Sequence, residues 1–266
     1  MRRPSSASAF TLIELLVTCA VGAMLLVTLM SILSGSINLS RKTSDSLLAY
    51  NAAAAALDLI GTDLECLAAS RQTNFEYLHL ANEAVGNEGV TAAKLMLLTS
   101  SANDTASGTN DGGQVRAVMY RLAHQDVVTP SGQNKIYGIY RFSETNAGNV
   151  FSNYLGAADL SAATGFQAAA AIDDFLAGNI VDFRVRLYPA GSLAPLNTNA
   201  TDVVRMSGAG VTVQGTAKPE GAATAEVSVT FLEDAGAKLL KSGVPLTNVA
   251  ARYGYTLSKK VPLRSP

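Results

Sequence analysis

Glu14 is the residue whose type and position most demand a chemical explanation. It stands one position before Leu15–Leu33, nineteen consecutive residues without a charge. As a helix that run is about 28 Å long, close to the ~30 Å hydrocarbon core of a bilayer. A carboxylate at such a boundary costs roughly 2.5–3.5 kcal/mol or more when ionised and unpaired. No cation lies in the next four residues, so the pattern predicts a partner from elsewhere.

The other reactive side chains are sparse and poorly spaced. The chain has two histidines, His79 and His124, and two cysteines, Cys19 and Cys66. No HxxxH or CxxC spacing surrounds them, so the histidines read as surface or strand residues. The cysteines read as small buried hydrophobes, too far apart for an intrachain bridge. Ser131-Gly132 and Ser207-Gly208 are turn residues without a GxSxG elbow, and Asp173-Asp174 reads as a charged helix face. The loop Ser100–Gly113 offers Asn103-Asp104 and Asn110-Asp111, hard oxygen donors of the kind calcium uses. Asp104 and Asp111 are thus the candidate calcium ligands, although a solvated loop accounts for them more simply. No catalytic constellation is present, and the residues point away from an enzyme; no other cofactor is expected.

The element positioning Glu14 is one long helix. Arg2-Arg3 and a short polar run lead into Phe10-Thr11-Leu12-Ile13-Glu14, and the apolar run follows. Helical periodicity resumes after Ser34-Gly35-Ser36, with Leu57, Ile60, Leu64 and Leu67 on one face. Asp58, Asp63 and Glu65 fall largely off that face. The reading is a helix from about Phe10 to about Arg71, weakened near Gly35, with Gly22 a second soft point.

At these N-terminal residues the sequence resembles the type IV prepilin family, which pilins share with the pseudopilins of type II secretion. The family pattern is a short basic leader, a small residue, Phe-Thr-Leu-Ile-Glu and an apolar helix. The resemblance implies cleavage between Ala9 and Phe10 by a prepilin peptidase/methylase and N-methylation of Phe10. It also implies that Glu14 neutralises the terminal amine of a neighbouring subunit during filament assembly. Two departures stand out. Ala9 replaces the usual glycine before the cut, and Ser31 stands where many pilins have a kinking proline. The implied location is the bacterial inner membrane, single-pass, with an extracytoplasmic C-terminal domain. Implied partners are other pilin or pseudopilin subunits, the inner-membrane assembly platform and membrane lipid.

Other N-terminal readings fit less well. An ordinary signal peptide has a shorter apolar core of 7–15 residues. A lipoprotein reading would use Leu16-Val17-Thr18-Cys19, with Thr18 poor before the cysteine and Cys19 too early in the run. A plain anchor explains the length but not FTLIE. Flanking charge does not orient the span, because Arg2 and Arg3 are matched by Arg41 and Lys42.

Composition bounds the rest. Loss of Met1–Ala9 takes Lys+Arg from 20 to 18 against 21 acidic groups, a formal −3. That is too little charge of either sign to suggest a polybasic membrane patch, and no nucleic acid is expected as a partner. The expected division is a leader (1–9), a transmembrane and assembly half-helix (10–36), an amphipathic half-helix (37–71) and a β-rich pilin-like domain (72–266).

Strands are read at Leu95–Thr99, Val115–Leu122, Lys135–Phe142, Ile180–Tyr188, Glu226–Leu232 and Tyr253–Leu257. Short helices are read at Ala168–Leu176 and Asp234–Lys241. A long helix followed by antiparallel strands makes the fold class α+β. The frames LDLIGTDLECLAASR, VMYRLAH, YGIYRFS and IVDFRVRLYPAG loosely resemble J-type minor pseudopilins and multi-prepilin cassette proteins. The resemblance and the domain's size imply a minor filament subunit. The alternative is a membrane-anchored extracytoplasmic binding protein that is not polymerised.

Overall fold

A computed structural model describes residues 11–71, 73, 75–86, 90–100, 115–126, 135–144, 147–155, 157, 159–168 and 174–264. Helix α1 runs without interruption over Leu12–Glu65. Gly22 and Gly35 lie inside it, so neither is a break. The chain divides into two compact units, Met1–Ser46 and Leu47–Pro266.

In the first unit the apolar side chains from Leu12 to Leu33 are exposed throughout. The hydroxyls of Thr18 and Thr28 donate back to carbonyls three and four residues earlier, at 2.8–3.1 Å. That hides their polarity within the helix, as an apolar surrounding requires. By length and composition α1 can cross a membrane.

The second unit is α+β. Its eight-stranded sheet contains β1 (Glu76–Val85), β2 (Val90–Thr99), β3 (Arg116–Asp126), β4 (Lys135–Glu144), β5 (Asp174–Gly178), β7 (Val204–Ser207), β8 (Gly210–Val213) and β9 (Thr216–Lys218). The order is β5-β4-β3-β2-β1-β7-β8-β9, and every paired neighbour is antiparallel. The three-stranded sheet is ordered β11-β10-β6, from β6 (Ile180–Tyr188), β10 (Thr224–Leu232) and β11 (Gly254–Pro262). The β8–β9 turn places Gln214 (φ 51°) and Gly215 (φ 75°) in the left-handed region, the pair a tight type I′ hairpin needs.

Registers Leu80↔Leu95, Leu95↔Tyr120 and Tyr120↔Arg141 put these four residues on one face of the large sheet. The C-terminal part of α1 reaches that face and the small sheet. Its buried Ala53, Ala56, Leu57, Ile60 and Leu64 join one core with both sheets, and Leu67 continues the stripe. Tyr50 meets Phe231 of β10 edge to face, and Asp58 pairs with Lys259 of β11. The opposite face, carrying His79, Met96, Met119 and Phe142, is covered by α2 (Ala147–Asn153), a 3-10 turn (Leu160–Ala162) and α3 (Thr164–Ala168). Phe166 of α3 packs edge-on to Phe142. Helices α4 (Asp234–Lys241) and α5 (Leu246–Tyr253) complete the unit, with Leu246 and Val249 buried.

The six strands read from the sequence are all present, β6 with the expected ends. Further expectations are corrected. Helix α1 ends at Glu65, short of Arg71, because Leu67 and Ala68 turn to pair with Thr99 and Leu98 of β2. Residues Asp174–Leu176 extend as part of β5 along β4 instead of continuing a helix; β pairing overrides the alanine-rich propensity upstream. Asp63 is only 2% exposed and faces the sheet. Neither cysteine is buried: Cys19 is exposed, Cys66 half-buried, and both are free.

Candidate functional site

Three arrangements bring polar chemistry together. The first opens α1. Thr11 and Glu14 form a capping box: the Thr11 amide and hydroxyl each donate to Glu14 Oε2 at 3.0 Å. The Glu14 amide returns to Thr11 Oγ1 at 3.4 Å. This is the T-x-x-E signature that satisfies orphan N–H groups at a helix start. Glu14 therefore has neutral hydrogen-bond partners within its own chain, which supply no countercharge. Ala9 and Phe10 lie outside the described residues.

The second arrangement holds the end of α1 on the large sheet. The Tyr120 hydroxyl donates to Asp63 Oδ2 at 2.5 Å, and Arg141 Nη2 donates to the same oxygen at 3.0 Å. Arg141 Nε closes the triangle on the Tyr120 oxygen at 3.0 Å. Burial, followed by the Asp63 charge, pushes the Tyr120 phenol far above its ordinary value. Burial works against the Arg141 charge, but Tyr120 and Asp63 more than offset it and hold the guanidinium protonated. A buried pair completed by a third hydrogen bond fixes geometry more than it adds net stability. Nearby, the Cys66 carbonyl accepts from the Ser100 amide and from the Thr99 and Ser100 hydroxyls. That satisfies an orphan carbonyl at the helix end.

The third arrangement lies on the other face. His79 Nδ1 is 3.0 Å from Glu76 Oε1 and 3.7 Å from Asp159 Oδ1. Strand β7 sets Arg205 directly opposite His79 in the sheet. From there Arg205 Nη2 reaches Asp159 Oδ2 at 2.5 Å, with Nε 3.9 Å from Glu76 Oε1. The Leu160 amide donates to Glu76 Oε2 at 2.7 Å. Burial opposes the Asp159 charge, yet the Ser161 hydroxyl and amide, Arg205 and His79 outweigh it and hold the carboxyl below its usual range.

The sequence-predicted residues are not brought together. Glu14 stands in the first unit. Asp104, Asp111, Asp173, Ser131 and Gly132 lie outside the described residues. His124 stacks flat on Tyr137 at 4.1 Å, a packing role in β3. Missed by sequence reasoning were Asp63, Tyr120 and Arg141, and Glu76, Asp159 and Arg205. Spacing along the chain does not join them: Asp63 lies 57 and 78 residues from Tyr120 and Arg141, and Arg205 lies 46 residues from Asp159.

Residues 4–34 match the family described as the prokaryotic N-terminal methylation motif. The motif and the apolar helix that follows it are consistent with a type IV prepilin-like protein. It is a processing signal of pilin-type structural subunits, not a catalytic domain, and it implies a prepilin peptidase and other pilin subunits as partners. No curated protein and no solved structure matches the chain.

Proposed function

We propose that this chain is a minor subunit of a type IV pilus-like or type II secretion pseudopilus filament. It is cut between Ala9 and Phe10, N-methylated on Phe10, anchored in the bacterial inner membrane with its C-terminal domain outside the cytoplasm, and assembled through α1. The observation supporting this most is the methylation motif at residues 4–34 running into a helix whose apolar side chains are exposed. Such a surface needs lipid or neighbouring helices to cover it.

The electrostatics follow from that packing. When helices exclude water from Glu14, its charge needs a cation at close range, and the new amine of Phe10 on a neighbouring subunit supplies one. Unit charges about 4 Å apart attract by roughly 4 kcal/mol at an effective dielectric near 20. That is enough to bias docking but not to hold a filament, so lateral packing of Leu15–Leu33 supplies the rest. The capping box competes for the same carboxylate.

Because Thr11 already satisfies Glu14 within the chain, a second reading is an anchored extracytoplasmic binding protein that never polymerises. Filament incorporation of Glu14→Gln and Glu14→Leu separates the two. Both variants should be inserted and cleaved yet incorporated poorly. Normal incorporation of Glu14→Leu would favour the anchored binding protein.

A further inference from the structure

The cluster around His79 is a strong convergence of ligand-type atoms on the large sheet. We propose that Glu76, His79 and Asp159 form a three-ligand site for a divalent transition metal, with zinc the best-matched ion. The proposal is independent of filament assembly.

The donor atoms suit the ion. One imidazole nitrogen and two carboxylate oxygens form a borderline set that zinc accepts, leaving a fourth position for water. Calcium, which takes six to eight oxygens, is poorly matched. Nδ1 lies 3.0 and 3.7 Å from the two facing oxygens. Atoms bound about 2.0–2.1 Å from one zinc lie about 3 Å apart or slightly more, so loading requires only small side-chain movements. The three ligand atoms all lie within 4.8 Å of one another, the one such group among the described residues.

The carboxylates are also held for the task. Glu76 turns Oε2 to the Leu160 amide and Oε1 to His79. Asp159 turns Oδ2 to Arg205 and Oδ1 to His79 and Ser161. Hydrogen bonds on the outer atoms of metal ligands orient them in this way. Glu76 and His79 are each 2% exposed, whereas the Asp159 and Arg205 side chains are 31% and 41% exposed. The site thus has a closed floor and a solvent-facing mouth. Without metal, Nδ1 faces carboxylates that only accept, so it carries a hydrogen; zinc takes the Nδ1 lone pair as that hydrogen leaves to solvent, and the bound ring stays neutral by holding one hydrogen, its own or one taken from solvent, on Nε2.

Arg205 sets the affinity. Its charge partly offsets the two carboxylates and weakens cation binding, so the site exchanges metal instead of trapping it. Bound zinc would tie the 3-10 turn Leu160–Ala162 to β1.

The test uses the full-length chain in detergent, stripped by chelator and titrated with zinc chloride. We expect about one zinc per chain, a raised unfolding temperature, and an X-ray absorption spectrum with one imidazole, oxygen ligands and no sulfur. His79→Asn and Glu76→Gln should weaken binding at least tenfold, whereas Cys66→Ser and His124→Asn leave it unchanged. Arg205→Gln should tighten it several-fold. A folded wild type that takes up no zinc at micromolar concentrations, sulfur in the coordination shell, or unaltered binding by folded His79→Asn overturns the proposal. If His79→Asn does not fold, the wild-type spectrum and Arg205→Gln decide: no imidazole, or unchanged affinity, overturns it.

Discussion

The Tyr120 hydroxyl sits 2.5 Å from the carboxylate of Asp63, joining the last turn of α1 to the middle of the large sheet. Arg141 braces both atoms from the next strand, so three side chains far apart in sequence form one buried knot.

The knot predicts an ordered series of destabilisations. Tyr120→Phe leaves Asp63 with Arg141 and should cost about 1–3 kcal/mol. Arg141→Leu strands a buried carboxylate and should cost more, about 3–5 kcal/mol. Asp63→Leu with Arg141→Leu should recover much of that loss. Equilibrium unfolding of the four proteins measures it; equal costs for both single variants would contradict the buried-charge account.

Along α1, burial rather than charge should dominate. Ile60 is fully buried in the core, and Ile60→Ala should cost about 2–5 kcal/mol. Asp58 pairs with Lys259 at 2.8 Å, but its side chain is 74% exposed. Asp58→Ala should therefore change stability by about 1 kcal/mol or less. The same unfolding curves report both, and an Asp58 effect as large as that of Ile60 would reverse the ranking.

Acid should loosen the loop before β7. Asp202 accepts the amides of Asn199 and Thr198 at 2.8 Å, with Asn199 and Gln214 side chains adding to them. The Asn199 amide leads in holding its carboxyl below the ordinary value of 3.8, with burial opposing. A depressed carboxyl stabilises the fold fully above its unfolded value and loses that contribution as pH falls through the folded value. Stability should fall with acidification below about pH 4. Asp202→Asn should be less stable than wild type at pH 7 and flatten this part of the profile; parallel profiles would exclude Asp202 as a contributor.

A fragment from Asn38 onward should fold as an α+β monomer, since the Leu57–Leu67 stripe buries itself within the second unit. Far-UV circular dichroism and sedimentation test this; an all-helical or disordered spectrum would contradict it.

The helix, its apolar stripe and β6 were legible because each repeats a period: 3.6 residues for Leu57, Ile60 and Leu64, two for Val181, Phe183, Val185 and Leu187. Strand β1 was not legible. Both its faces are covered, so Glu76–Leu80 is buried without alternation and carries Glu76 and His79 inside. Strand β5 was hidden by the alanines preceding it, where pairing with β4 decides the conformation. The β7–β9 strands are only three or four residues long, so the alternation of Val204, Met206, Val211 and Val213 is too brief to stand out, and the turns at Gly208-Ala209 and Gln214-Gly215 set the run. Asp63 read as a solvent-side charge because helical spacing gives its direction but not Tyr120 and Arg141. The Thr11–Glu14 box was written in the sequence as T-x-x-E and was overlooked because the membrane boundary claimed Glu14 first.

Processing of this chain as a pilin-type subunit is read at the N-terminus of the membrane-fraction protein. Mass spectrometry should find a mature chain beginning at Phe10, its amine carrying one methyl group. An intact Met1 terminus, or a lipid on Cys19, would contradict the account.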